Sequence, residues 1–138
     1  MEPLRLPAVL GSLEDATRYV YELARAAALS RERTVQLRLA VEELIANVVL
    51  HGYEGRPGEY EVDGAVEPAR LWIRVSDAAR AFDPTQVPMP TDLDRPLTER
   101  SIGGLGLYLA RLAVDDMTYE YLGGRNRSTL VVYRSGSR

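Results

Sequence analysis

Glu43 and Asn47 stand four residues apart in "LRLAVEELIANVVLHGY" (residues 37–53), an acid and an amide placed where both could serve chemistry. On a helix turning about 100° per residue, Leu37, Val41, Leu44, Ile45 and Val48 form the expected core face, and Leu39, Ala46 and Leu50 form a second apolar group roughly opposite. Glu43 falls near the middle of that second group, with Asn47 about 40° further round. A carboxylate in apolar surroundings is unfavourable unless something binds it. The pair therefore reads either as part of a binding site or as two polar side chains bonded to each other near solvent. Glu42 points toward Arg38 one turn away and reads as its solvated partner. His51 ends the pattern, where a histidine commonly meets the last helix carbonyls.

The second chemical feature is "SIGGLGLYLARLAVDD" (residues 101–116), which sets Gly103, Gly104 and Gly106 ahead of an apolar helical pattern. Glycines let backbone approach a ligand closely, and a helix N-terminus offers free N–H groups and a positive dipole end, a combination suited to phosphate. A flexible turn explains the glycines equally well. The spacing is not G-x-G-x-x-G, since Leu109 takes the last place, and a proline-rich stretch precedes it where a dinucleotide fold would have a strand. All 17 basic residues are arginine, so a Walker A loop and Schiff-base chemistry are both excluded.

The third feature is Asp77. In "RLWIRVSD" (residues 70–77) Leu71, Ile73, Val75 and Asp77 share parity, so an apolar strand face ends in a carboxylate. Such a group could accept from an exocyclic amine, as of adenine, at the mouth of the core, or it could cap the following turn. Asp83, before Pro84, reads as a turn residue.

The elements that must hold these residues follow from the pattern. "LRLPAVLG" (4–11) reads as a short edge strand, its proline tolerable at an edge or end. Residues 12–29 read as a helix capped by Ser12, with Leu13, Ala16, Val20, Leu23 and Ala27 on one face. Ser30 caps a second helix running to about His51. Residues 60–67 and 70–77 alternate as an antiparallel hairpin. Residues 84–102 carry four prolines and no period, long for a connection inside a compact domain. A third helix follows, with Leu105, Leu109 and Leu112 expected on one side. "MTYEYLGGRNRSTLVVYR" closes as two strands around a Gly-Gly-Arg-Asn turn. The expected class is α+β, a two-layer sandwich with helices on one face of a mixed, mostly antiparallel sheet, formed by one domain over residues 1–138.

Composition narrows the functions. A net charge of −3 and a pI near 5.2 argue against a general nucleic-acid binder. No long apolar run or leader pattern points to a membrane or to export, so the cytoplasm is the expected location. The absence of cysteine excludes disulfides and thiolate metal sites, and a single histidine excludes paired imidazoles on one metal.

Four patterns in one order, "EELIANVVLHGY", "SDAARAFDP", "SIGGLGLYLARLAVDDMTYE" and "GGRNRSTLVV", resemble the GHKL (histidine kinase-like) ATP-binding fold of Bergerat type, most closely its anti-sigma factor serine/threonine kinases. The resemblance covers nearly the whole chain. It implies ATP and Mg²⁺ as cofactors, with Asn47 holding the metal against the phosphates and Glu43 acting as base on an attacking hydroxyl. It further implies that Asp77 accepts from the adenine amine, aided by Thr129 through a water. Gly103, Gly104 and Gly106 would belong to the nucleotide-binding turn, Gly104 and Gly106 admitting the triphosphate under a lid formed by residues 84–102. The implied activity is phosphorylation of an anti-anti-sigma (STAS-type) partner, with consequent control of a sigma factor, and homodimerisation. The family pattern Asp-x-Gly reads Asp77-Ala78-Ala79 here. That departure keeps open an alternative, a catalytically weak binding module of the same fold that sequesters a regulatory protein.

Overall fold

The computed structural model describes residues 1–88 and 104–134. Five strands, β1 (Leu4–Pro7), β2 (Glu59–Val66), β3 (Arg70–Asp77), β4 (Asp116–Leu122) and β5 (Arg125–Tyr133), form one sheet in the order β1-β2-β3-β5-β4. Every pairing is antiparallel, so the expected mixed sheet is wholly antiparallel among the described strands. The closing hairpin turns on Gly123 and Gly124, both at positive φ (60° and 77°), which glycine adopts without the cost a Cβ would bring.

Strand alternation divides the sheet into two faces. Leu71, Ile73, Val75 and Asp77 of β3 are buried together with Asn126, Ser128, Leu130 and Val132 of β5, and the register pairs Asp77 with Asn126 and Val75 with Ser128. Three helices cover that face: α1 (Leu13–Ala26), α2 (Arg31–Asn47) and α3 (Gly104–Ala113), with α2 packed against both of the others. Leu37, Val41, Leu44, Ile45 and Val48 face the core as their spacing predicts. Ser30 caps α2 by accepting from the Arg33 N–H at 3.1 Å, and the Arg38–Glu42 pair forms at 3.2 Å.

Two expectations change. Ser12 does not cap α1; a 3₁₀ turn (Leu10–Ser12) precedes the helix, and the Ser12 hydroxyl is buried, donating to the Val9 carbonyl at 2.7 Å and bonding the Tyr60 hydroxyl. In α3 the buried face is Leu107 and Ala110, continued by Val114 just beyond the helix, while Leu109 and Leu112 are 52% and 62% exposed. The helix is apolar around most of its circumference, so a three-residue spacing fits either face, and packing against α2 selects the other one.

Beyond Asn47 the α2 backbone widens into a π turn (Val48–Gly52), with the Tyr53 N–H donating to the Val48 carbonyl at 2.9 Å. Such a bulge re-aims the chain and recurs at functional sites. Tyr53 then ties the loop to the sheet: its hydroxyl donates to the Glu59 carbonyl at 2.7 Å and accepts from the Ala78 N–H at 2.9 Å. Among the described residues no helix is long and apolar enough to cross a membrane.

Candidate functional site

A cleft opens where the end of α2 and its π turn face the ends of β3 and β5. Asn47 and Gly52 line one wall; Asp77, Ala79, Asn126 and Ser128 line the other. The sequence elements that looked separate thus converge, because the β3–β5 register carries Asp77 and Asn126 to the same end of the sheet that the last turns of α2 approach.

Asp77 is 5% exposed. Its Oδ1 accepts from the Ala79 N–H and from Asn126 Nδ2, both at 2.9 Å. Burial raises its pKa, and the Asn126 and Ala79 bonds and the Arg125 charge act against that rise. Oδ2 holds no hydrogen bond among the described residues. The group is therefore an anchored acceptor with one oxygen already engaged.

Asn126 was not singled out by the sequence, where it sits beside a glycine turn. Its Nδ2 also reaches the carbonyls of Ala79 (3.2 Å) and Arg80 (3.0 Å), and its Oδ1 accepts from the Phe82 N–H at 3.1 Å and from the Tyr119 hydroxyl. One buried amide thus holds the chain from Asp77 to Phe82 in place. Its parity with Ser128, Leu130 and Val132 was the available signal: a polar residue on the core-facing side of a strand needs partners. Downstream, Asp83 is the turn residue expected, its Oδ1 accepting from the Thr85 N–H at 2.8 Å.

Thr129 is corrected. It lies one residue out of phase with the cleft, on the opposite face of the sheet, where its hydroxyl accepts from Arg74 Nε at 3.1 Å. Ser128 is the hydroxyl that lines the cleft. A shift of one residue in a strand exchanges the faces, so two adjacent hydroxyl residues cannot be distinguished without the register.

Glu43 is exposed and Leu39 and Leu50 are each 49% exposed, so the second apolar group of α2 faces solvent and the carboxylate meets no burial penalty there. The Glu43 side chain turns toward α3: a Cβ built on Gly106 would stand 2.1 Å from Glu43 Oε2. Gly106 thus makes room for a carboxylate. Gly104 begins α3, and Gly103, like most of the expected lid, lies outside the described residues.

Ala79, the departure from the family pattern, is buried and is not among the residues with positive φ. Its methyl packs toward Gly52, where an added Cβ would stand 3.0 Å away. A side chain at 79 is accommodated because position 52 has none.

For a divalent cation, no cluster of three or more His, Cys, Asp or Glu residues exists among the described residues. The Asn47 amide in the cleft fits an ion held mainly by substrate phosphates and water, as Mg²⁺ commonly is, and does not fit an all-protein cage.

Comparison with known proteins agrees with the architecture. The family model described as "Histidine kinase-like ATPase domain" matches residues 6–133. Serine-protein kinase RsbW of Listeria monocytogenes is 35% identical over 103 residues, covering 72% of this chain and 66% of that protein. Serine-protein kinase RsbW of Bacillus cereus is 31% identical over 84 residues, covering 59% of this chain and 52% of that protein. The chain thus spans somewhat less than two thirds of the curated relatives it matches. Among solved structures, the RsbU and RsbW domains of Rv1364c from Mycobacterium tuberculosis superpose with a TM-score of 0.59 at 15% identity, over 96% of this chain and 32% of that one. The Acinetobacter baumannii histidine kinase AdeS superposes at 0.54 and 12% identity, over 99% of this chain and 70% of that one.

Proposed function

Because the chain belongs to the histidine kinase-like ATPase domain family, we propose that it is an ATP-dependent serine/threonine protein kinase of the anti-sigma factor type, acting on an anti-anti-sigma partner of STAS type to control a sigma factor. The observation that carries this reading is the shared geometry of α2. Asn47 faces the cleft that Asp77 closes, and Glu43, one turn earlier, rests against Gly106 in the first turn of α3. The relatives named serine-protein kinase support the same class of chemistry.

Each residue has a separable task. Asp77 Oδ2 accepts from the base amine while Oδ1 stays tied to the protein, which fixes the orientation of the base. Asn47 would hold Mg²⁺ through its amide oxygen, and the ion would supply neutralisation of the charge that develops in phosphoryl transfer. The N-terminus of α3, beginning at Gly104, offers N–H groups and a favourable dipole to phosphate without a lysine. Glu43, exposed and ionisable, takes the proton of the partner's hydroxyl; its position outside the cleft lining leaves it reachable by a protein substrate.

The binding-module alternative draws its support from Ala79, whose methyl lies against Gly52 and whose residue also lines the cleft. The deciding experiment follows labelled phosphate from ATP to candidate STAS-type partners, with wild type and Glu43→Ala side by side. Transfer by wild type that drops about 10²- to 10⁴-fold in the variant, with ADP affinity retained, is the expected result. Tight partner binding without transfer by the wild type would return the binding-module reading.

A further inference from the structure

The hydrogen bonds on Asp77 are unevenly distributed. Oδ1 accepts two, from Ala79 N–H and Asn126 Nδ2, each at 2.9 Å. A carboxylate oxygen offers about two lone-pair positions, so Oδ1 is filled. The buried side-chain polar atoms without a partner among the described residues are Tyr19 Oη and Arg38 Nε. Oδ2 is not one of them and has no partner among the described residues, which leaves it facing the cleft that Asp77 lines. Asn126 cannot readily release Oδ1, since its own amide is held at both ends by Ala79, Arg80, Phe82 and Tyr119.

We propose that Asn126 sets the base selectivity of this site: by filling Oδ1 it leaves Asp77 a single free acceptor, which serves a base edge with one amine donor and denies a second bond to an edge with two adjacent donors. The inference rests on the nucleotide reading given above. Adenine presents its 6-amino donor beside a ring nitrogen acceptor. Guanine presents N1–H and a 2-amino group side by side, a pair that a carboxylate with both oxygens free would grip bidentately. Hypoxanthine presents N1–H alone. Selectivity of this kind comes from withholding a partner from the wrong ligand, whose desolvated donor then goes unpaired.

Calorimetric titration of the whole chain with ADP, GDP and IDP, each with Mg²⁺, tests it. In wild type, GDP is expected to bind at least about tenfold below ADP and no more tightly than IDP, because the extra amine of guanine finds no acceptor. In Asn126→Ala, and in Asn126→Ser should the first not fold, GDP is expected to gain about tenfold over IDP as one of the two acceptor positions of Oδ1 is freed, the Ala79 N–H keeping the other. An equal loss of all three nucleotides in the folded variant would make Asn126 merely structural and overturn the proposal. GDP binding tenfold tighter than IDP in wild type would overturn it without any variant. Wild type that binds no ADP removes the nucleotide reading and this inference together, whereas ADP binding with a GDP preference over IDP removes the inference alone.

Discussion

The Glu43 carboxylate fills the space that a side chain at Gly106 would need, with Oε2 2.1 Å and Cδ 2.6 Å from the position of an added Cβ. Gly106→Ala therefore forces a choice between two helices. Glu43 is exposed and flexible, so it yields, and alanine's better helix propensity offsets part of the strain. The melting temperature is expected to stay within a few degrees of wild type while phosphate transfer falls at least tenfold, because the proposed base is moved. Thermal melts and a transfer assay on the same preparation check this; full transfer by a folded Gly106→Ala protein would detach Glu43 from the chemistry.

Asp77 carries two pH effects of opposite sign. Burial raises its pKa above the ordinary 3.8, so the native state takes up this proton more readily than the unfolded chain. Its contribution to stability is then fully present below the unfolded value and is lost as pH rises through the raised folded value. Asp77→Asn, which cannot ionise, is expected to melt no lower than wild type at pH 7. Binding runs the other way, since the ionised carboxylate is the stronger acceptor: ADP affinity should decline as pH falls through the raised folded value. Asp77→Asn should bind ADP at least about tenfold more weakly at pH 7, with that pH dependence gone. Titrations at several pH values alongside melts separate the two effects.

Ala79 and Gly52 form a reciprocal pair across the cleft floor, one supplying a methyl where the other supplies none. Ala79→Gly restores the commoner family residue but frees the unfolded backbone and empties a small buried space, so it should cost about 0.5–1 kcal/mol and change ADP affinity by no more than about twofold. Gly52→Ala brings two methyls to 3.0 Å, and should lower both stability and ADP affinity by displacing the chain at Ala79. Equilibrium denaturation with ADP titration measures both. A strong gain of ADP affinity in Ala79→Gly would show that the native methyl obstructs the base.

What the sequence disclosed and what it withheld divide along a physical line. Features set by local chemistry were legible: the Ser30 cap, the Arg38–Glu42 pair, the Asp77 parity and the Gly123–Gly124 turn. Features set by contact between distant segments were not. Ser12 carries a capping residue type, but Tyr60, 48 residues away, engages its hydroxyl. Thr129 and Ser128 are both hydroxyls, and only the β3–β5 register assigns Ser128 to the cleft. Asn126 resembles a turn residue until its partners between Asp77 and Phe82 are brought against it.

The third helix makes that division measurable. Its sequence supports two core faces, Leu105, Leu109 and Leu112 or Leu107, Ala110 and Val114, and the structure buries the second set. Leu107, 2% exposed, has its side chain among core neighbours, so Leu107→Ala should cost about 2–5 kcal/mol through lost transfer energy and the cavity left behind. Leu112, 62% exposed, has most of its surface in solvent already, and Leu112→Gln should change stability by no more than about 0.5 kcal/mol. Urea denaturation of the two variants distinguishes the faces directly, because each face predicts the opposite ranking. The consequence reaches the site: α3 carries Gly106 against Glu43 only in the rotation that buries Leu107 and Ala110. A costly Leu112→Gln with a tolerated Leu107→Ala would turn the helix over and move Gly106 away from the carboxylate.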